Sequence, residues 1–278
     1  MRHFRKHLVT FLAYVLAIVI SVLYLIPFYI MLRNAFMTQR EIAAFDWLVW
    51  AKEMQWQNIP ALFNDPVAPM GVGLWNSTLV SVLQVTGQLV VCSMAAYGLV
   101  RIRVKAAQLI FYLILGSLMV PSAAIFVQSF LVVSYLGWVN SLQGLVVPGI
   151  FSAFTIFIFR QFFLDFPHDL EDAARVDGLE HLGIFWRIVV PNSVGVFVSL
   201  GVLALIRSWN AFLWPLVVGQ SKDTWTVQVV LSTFLTAQTI NLPALFMASV
   251  ISVLPIVLLF FVVQRFIVEG VKLSGVKG

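Results

Sequence analysis

Six apolar runs constrain this chain more than any other feature. They cover about residues 8–32, 75–99, 106–133, 142–163, 193–213 and 244–267, each near the ~20 residues that a helix needs to cross a bilayer. Hydrocarbon offers no water to a free backbone N–H or C=O, so runs of this length are stable there as helices. The expectation is an all-α polytopic protein with six transmembrane helices, forming one membrane domain over residues 1–278. Charged residues make up only 10% of the chain, against about 25% in soluble proteins. Prolines 27, 121 and 255 fall inside runs, which is tolerated where neighbouring helices satisfy the freed groups. The first run is too long for the core of a cleavable signal and is expected to stay as a span. Cys92 is the single cysteine, so no internal disulfide can form.

Lysine and arginine set the orientation. Arg2, Arg5, Lys6, Arg101, Arg103, Lys105, Arg160, Arg175, Arg187, Arg265, Lys272 and Lys277 fall on one side, and Arg33, Arg40, Lys52 and Lys222 on the other. The richer side is assigned to the cytoplasm, which puts both termini there. Basic residues in such a chain report topology first, and no aromatic-basic pattern points to nucleic acid. Residues 33–73, with Trp47, Trp50 and Trp56, are expected to form a loop with interfacial segments. Residues 214–243 are expected to form a second outer loop, whose polar run Gln220, Ser221, Lys222, Asp223 and Trp225 suits contact with another protein.

No Asp, Glu or His lies inside the runs, so the intramembrane relays of proton-coupled carriers are missing. There is no His-Glu-x-x-His for zinc and no metal-ligand cluster. The tail Gly270-Val-Lys-Leu-Ser-Gly275-Val-Lys-Gly278 departs from a phosphate loop in its lysine position and lacks a preceding strand. The chain is therefore not expected to be an enzyme or its own ATPase.

One long polar stretch interrupts this pattern, from Pro167 to Pro191. Acids crowd its start at Asp169, Glu171 and Asp172, and Gly178 offers a left-handed exit, the order of signals for a short helix. Glu171 and Arg175 stand four apart, acid first, which adds support. A second periodicity follows, with Leu182, Phe185, Trp186 and Val189 on one face. Two short helices with a sharp elbow are expected. Ala173 and Ala174 give a small, smooth patch among charges, suited either to close approach of a partner or to a solvated loop.

Two other features touch a solute pathway. Gln84 and Gln88 share a helical face with Ser77 and Ser81, which fits interhelical hydrogen bonding or substrate contact. Arg207 would sit ~21 Å along a span of ~30 Å. It either faces a polar pathway or snorkels to the outer headgroups. Asn210 lies one turn further on.

The pattern Asp172-Ala173-Ala174, three residues, Gly178, nine residues, Ile188, one residue, Val190-Pro191 resembles the EAA loop of ABC-importer permeases. Asp172 replaces that family's Glu, and Val190 its Leu. The six runs, Trp209-Asn210…Trp214-Pro215-Leu216 and Gly275-Val276-Lys277-Gly278 extend the resemblance to MalG-like permease subunits of carbohydrate importers. The resemblance implies an inner-membrane complex with a second homologous permease, two ATPase subunits holding ATP and Mg, and an extracytoplasmic solute-binding protein. It implies that Glu171, Asp172, Ala173, Ala174, Arg175, Asp177, Gly178, Ile188 and Pro191 form the coupling element docked in the ATPase. The tail residues Gly275, Lys277 and Gly278 would also touch the ATPase, and the 220–225 loop would touch the binding protein. A non-sugar solute, such as a glycerophosphodiester or polyamine, and a membrane scaffold role are the alternatives.

Overall fold

The computed structural model describes residues 2–44, 49–102, 105–236 and 241–275. All regular structure among them is helical: α1 Arg2–Ala35, α2 Gln39–Ala43, α3 Asn58–Phe63, α4 Met70–Arg101, α5 Ala107–Ser117, α6 Phe126–Tyr135, α7 Leu142–Val146, α8 Ala153–Leu164, α9 His168–Val176, α10 His181–Ile184, α11 Val190–Asn192, α12 Val194–Trp209, α13 Leu213–Val218, α14 Val227–Thr236 and α15 Leu242–Gly275, with short 3₁₀ and π turns between some of them. By contacts the chain divides into two compact units, Met1–Met70 with Val230–Leu254, and Gly71–Val229 with Pro255–Gly278.

In the first unit a capping box starts α2. Thr38 Oγ1 accepts from the Glu41 N–H, and the Glu41 carboxylate accepts from the Thr38 N–H at 2.9 Å. That backbone donor is the first reason the Glu41 carboxyl lies below its ordinary range. Asn58 Nδ2 donates to the Ala35 carbonyl at 2.9 Å, tying α3 back to the end of α1. Among the described residues none in the apolar window of α1 is buried, which fits a surface covered by lipid or another subunit.

The second unit holds the main core. Cys92, Ala96 and Tyr97 of α4 pack with Ile156, Phe159 and Phe163 of α8, and with Ala174, Ile184, Phe185, Val189 and Leu200. A smaller cluster joins Val80, Val133, Leu145, Val146 and Val218.

Among the described residues three helical stretches are long and apolar enough to cross a membrane unbroken: Val9–Ala35, Met70–Arg101 and Leu242–Gln264. The other runs differ from the continuous spans expected. Run 106–133 is broken into α5 and α6, with Pro121 in the turns between them, where its missing N–H and its ring stop a helix. Run 142–163 bends by 44° between Leu142–Gly149 and Ala153–Leu164, beside Pro148. The expected outer loop 214–243 carries α13 and α14, on either side of the polar Ser221–Asp223 segment. The tail from Glu269 is no separate segment, since α15 runs on to Gly275.

Candidate functional site

The polar stretch forms the expected elbow. Its first helix, α9, ends in a Schellman motif: the Gly178 N–H donates to Arg175 O and the Leu179 N–H to Ala174 O, both at 3.0 Å, with Gly178 at φ +84°. The chain resumes as α10, a π turn over Phe185–Val189, and α11. The Val190 N–H reaches back five residues to Phe185 O. This wide turn gives room for Pro191, whose ring would crowd the carbonyl four residues earlier in a regular helix. At residue 193 the direction changes by 82° into α12.

The faces of α9 divide the expected coupling residues. Glu171 is 0% exposed and Ala174 is also buried, whereas Asp172, Ala173, Arg175, Asp177 and Gly178 are exposed. Arg101, in the last turn of α4, donates from Nε to Glu171 Oε1 at 2.6 Å. The Tyr97 hydroxyl donates to Oε2 at 3.1 Å. Arg175 approaches the same oxygen at 3.7 Å and pairs with Asp172 at 2.5 Å on the surface. Arg101 also donates from Nη2 to Phe166 O at 2.9 Å, and its Nη1 lies 3.2 Å from His168 Nε2. A guanidinium only donates, so that ring nitrogen accepts. Arg101 thus binds both the entry to α9 and its first turn.

Two expectations change here. Glu171 looks into the protein, so its partner is Arg101 rather than an outside surface. A larger residue at Ala174 would overpack the core, not block a docking partner. What α9 offers outward is Leu170, Ala173 and Val176, the last 87% exposed, flanked by Asp172 and Arg175. On the following segment Phe185 and Val189 are buried while Leu182 and Trp186 are exposed. Ile188 is half-buried and Pro191 exposed.

The 220–225 loop is held by two residues the sequence reading passed over. Asn140 has φ +60°. Its N–H donates to Val218 O at 2.7 Å, and its Oδ1 accepts from the Ser221 N–H at 2.9 Å and the Thr224 hydroxyl at 2.6 Å. Asn76 Nδ2 donates to Asp223 O at 2.7 Å and Trp225 O at 3.0 Å. Asparagine tolerates left-handed backbone, which was the available signal. Asn140→Gly keeps that backbone freedom but removes both side-chain bonds. At about 1 kcal/mol for such a bond, the Ser221 amide is expected to exchange roughly fivefold faster in hydrogen-exchange mass spectrometry.

Gln84, Gln88, Arg207, Ser208 and Trp214 line a cavity of about 340 Å³. The polar stripe on α4 divides its work. Ser77 Oγ accepts from the Val227 N–H at 2.8 Å, Gln88 donates to Thr155 Oγ1 at 2.7 Å, and Gln84 faces the cavity. Asn210 is not part of its wall; Gln228 donates to it at 3.4 Å. Lys277 and Gly278 lie outside the described residues, and Gly275 is the last residue of α15.

The sequence profile of the "Binding-protein-dependent transport system inner membrane component" family matches residues 88–273, which takes in the cavity's α12 wall, α9 and the elbow. The chain belongs to that family. This permease is 33% identical to the arabinooligosaccharides transport system permease protein AraQ of Bacillus subtilis, over 93% of its own length and 92% of the relative's. It is 36% identical to the lactose transport system permease protein LacG of Rhizobium radiobacter, over 79% and 80% of the two chains. The sn-glycerol-3-phosphate permease UgpE of Yersinia enterocolitica is 28% identical over 92% of this chain and 94% of its own. A crystal structure of a bacterial ABC transporter that imports the acidic polysaccharide alginate shares the fold: TM-score 0.81, 19% identity, 91% of this permease and 95% of that chain. The permease is a membrane subunit of an ABC importer.

Proposed function

We propose that this permease imports a sugar or oligosaccharide by alternating access, with ATP and Mg bound by separate ATPase subunits. The observation that carries the coupling part is the buried Arg101–Glu171 pair. It fixes α9 to the end of a helix of 32 residues, so a push on the outward face of α9 moves α4 with it. Leu170, Ala173 and Val176 are the face offered to the ATPase. Support for a saccharide comes from the named solutes of the relatives AraQ and LacG. UgpE keeps a phosphorylated polyol in view.

The complex comprises a second homologous permease, two ATPase subunits and an extracytoplasmic binding protein. In this reading the chain crosses the membrane six times, with both termini and α9 in the cytoplasm and the 220–225 loop outside, against the binding protein. Gly275, Lys277 and Gly278 lie against the ATPase pair. The test is purification through a tag on this chain. An ATPase is expected to co-purify, and hydrolysis should respond to a binding protein. In a Cys92→Ala background, cysteines at 220 and 223 should react with an impermeant thiol reagent added outside. Labelling from the cytoplasmic side alone would overturn the topology.

A further inference from the structure

The cavity between α4, α12 and α13 has a lopsided chemistry. Its wall contains one ionisable side chain, Arg207, and no carboxylate. Among the described residues no acid lies within 4.0 Å of the Arg207 guanidinium. The remaining polar groups are neutral: the amides of Gln84 and Gln88 and hydroxyls that include Ser208. Ser208 Oγ is buried without a hydrogen-bond partner, a state that costs free energy unless something else occupies its lone pairs. Trp214 supplies an aromatic wall. Its indole N–H donates to Gly144 O at 3.0 Å and its ring meets Phe126 edge-on at 5.7 Å, so its orientation is set before any ligand arrives.

Gln84 is placed as deliberately. A Cβ on Gly149 would fall 1.4 Å from Gln84 Nε2, so the amide lies across a position that only glycine leaves open. The cavity volume, about 340 Å³, falls within the range of small-molecule sites. Arg207 is exposed along this wall with no acid beside it, so an anionic ligand would meet a cation that no carboxylate neutralises. Neutral donors and acceptors beside an aromatic face suit a hydroxylated ring.

We propose that this cavity is a direct solute subsite for a saccharide unit bearing one anionic group, a carboxylate or phosphoester, held by Arg207 with Ser208, Gln84 and Trp214 around the ring. The inference rests on the importer reading above and adds that this chain itself reads the charge of the solute.

The test uses the complete importer complex, purified through this chain and placed in nanodiscs. A reporter cysteine at Ser129, in the cavity wall, is introduced with Cys92→Ala, and its labelling rate is followed with a thiol reagent. Trigalacturonate or glucose 6-phosphate is expected to protect at concentrations at least tenfold below neutral galactotriose. The more potent of the two anions identifies the anionic group. Arg207→Gln should abolish that preference, and Arg207→Lys should keep part of it. Ser208→Ala, a smaller change that serves if Arg207→Gln fails to assemble, should weaken protection by the anionic probe three- to tenfold. Equal protection by charged and neutral probes, or a preference that survives Arg207→Gln, would overturn the proposal. Labelling that follows the phosphatidylglycerol content of the nanodisc, and not the saccharide, would also overturn it by assigning Arg207 to a lipid headgroup. Absence of protection in a complex that still couples hydrolysis to its binding protein rejects this subsite alone. A complex without coupled hydrolysis rejects the importer reading beneath it.

Discussion

Arg101→Ala is expected to abolish coupled ATP hydrolysis while the chain still inserts into the membrane. The substitution leaves Glu171, 0% exposed, with only the Tyr97 hydroxyl and the more distant Arg175 to answer its charge. Removing one partner of a buried pair costs about 3–5 kcal/mol, chiefly because the other charge stays buried. The expected relief is local: α9 swings out and lets Glu171 reach water. The Arg101 bonds to Phe166 O and His168 vanish with the same change, which leaves the packing of the Phe166 ring in the core to hold the entry to α9. Glu171→Gln strands the guanidinium instead and should lose most coupling. Arg101→Lys keeps the charge but not the fork that serves Glu171 and Phe166 together, and should fall between. Replacing both residues by leucine removes the charges as a pair and should be milder than either single loss. The readouts are limited proteolysis at residues 165–180 and binding-protein-stimulated hydrolysis by the assembled complex. Full coupling and wild-type protection in Arg101→Ala would show that the pair is incidental.

The elbow itself was legible in the sequence, because its signals are local. Acids, Ala-Ala and a glycine at fixed spacing describe one short helix and its exit, and backbone geometry obeys them. Which side of α9 faces inward was not legible. Glu171 and Ala174 lie three apart, as do Leu170 and Ala173, so each pair marks a possible inner face. The choice falls on the face with a buried charge because its partner, Arg101, sits 70 positions earlier. Pairing over that distance leaves no trace in a local pattern. Val176, an apolar residue on the other face, is 87% exposed.

The spans show the same division. The proline-free run of α4 keeps the expected course, whereas the proline-free run 193–213 is helical only to Trp209. Pro27 and Pro255 are absorbed within α1 and α15, whereas residues 118–125 around Pro121 leave the helix altogether. Hydropathy does not distinguish these outcomes, since both kinds of segment remain apolar. The cavity was legible only in parts. Gln84 and Arg207 stood out as polar groups in apolar runs, but Trp214 and Ser208 gained meaning once α12 and α13 brought them beside α4. Asn210, close to Arg207 in sequence, points elsewhere.

Gly178→Val is expected to leave insertion and the core intact while uncoupling hydrolysis from transport. At φ +84° the residue occupies left-handed backbone, and a Cβ there would meet nothing within 4 Å. The penalty is therefore conformational, roughly 1–2 kcal/mol and more for a β-branched side chain. Ala174 on one side of the elbow and Ile184, Phe185 and Val189 on the other are all buried in the main core. Both flanks hold, so strain concentrates in residues 177–180 and tilts the outward face of α9. Coupling should decline in the order Gly, Asn, Ala, Val, because asparagine tolerates this backbone best among side-chain-bearing residues. Two further variants separate tilt from blockage. Ala173→Leu adds bulk on the exposed face and should impair ATPase docking without lowering the thermal stability of the purified chain. Ala174→Leu overfills the core at about 1–3 kcal/mol and should lower that stability first. Glu180 precedes α10 without a side-chain capping bond and is exposed, so Glu180→Ala should behave as wild type. Co-purification of the ATPase, hydrolysis and melting temperature are compared across the set. If Gly178→Val keeps full docking and full uptake, α9 is not the coupling element, and the stretch is an ordinary connecting segment between spans.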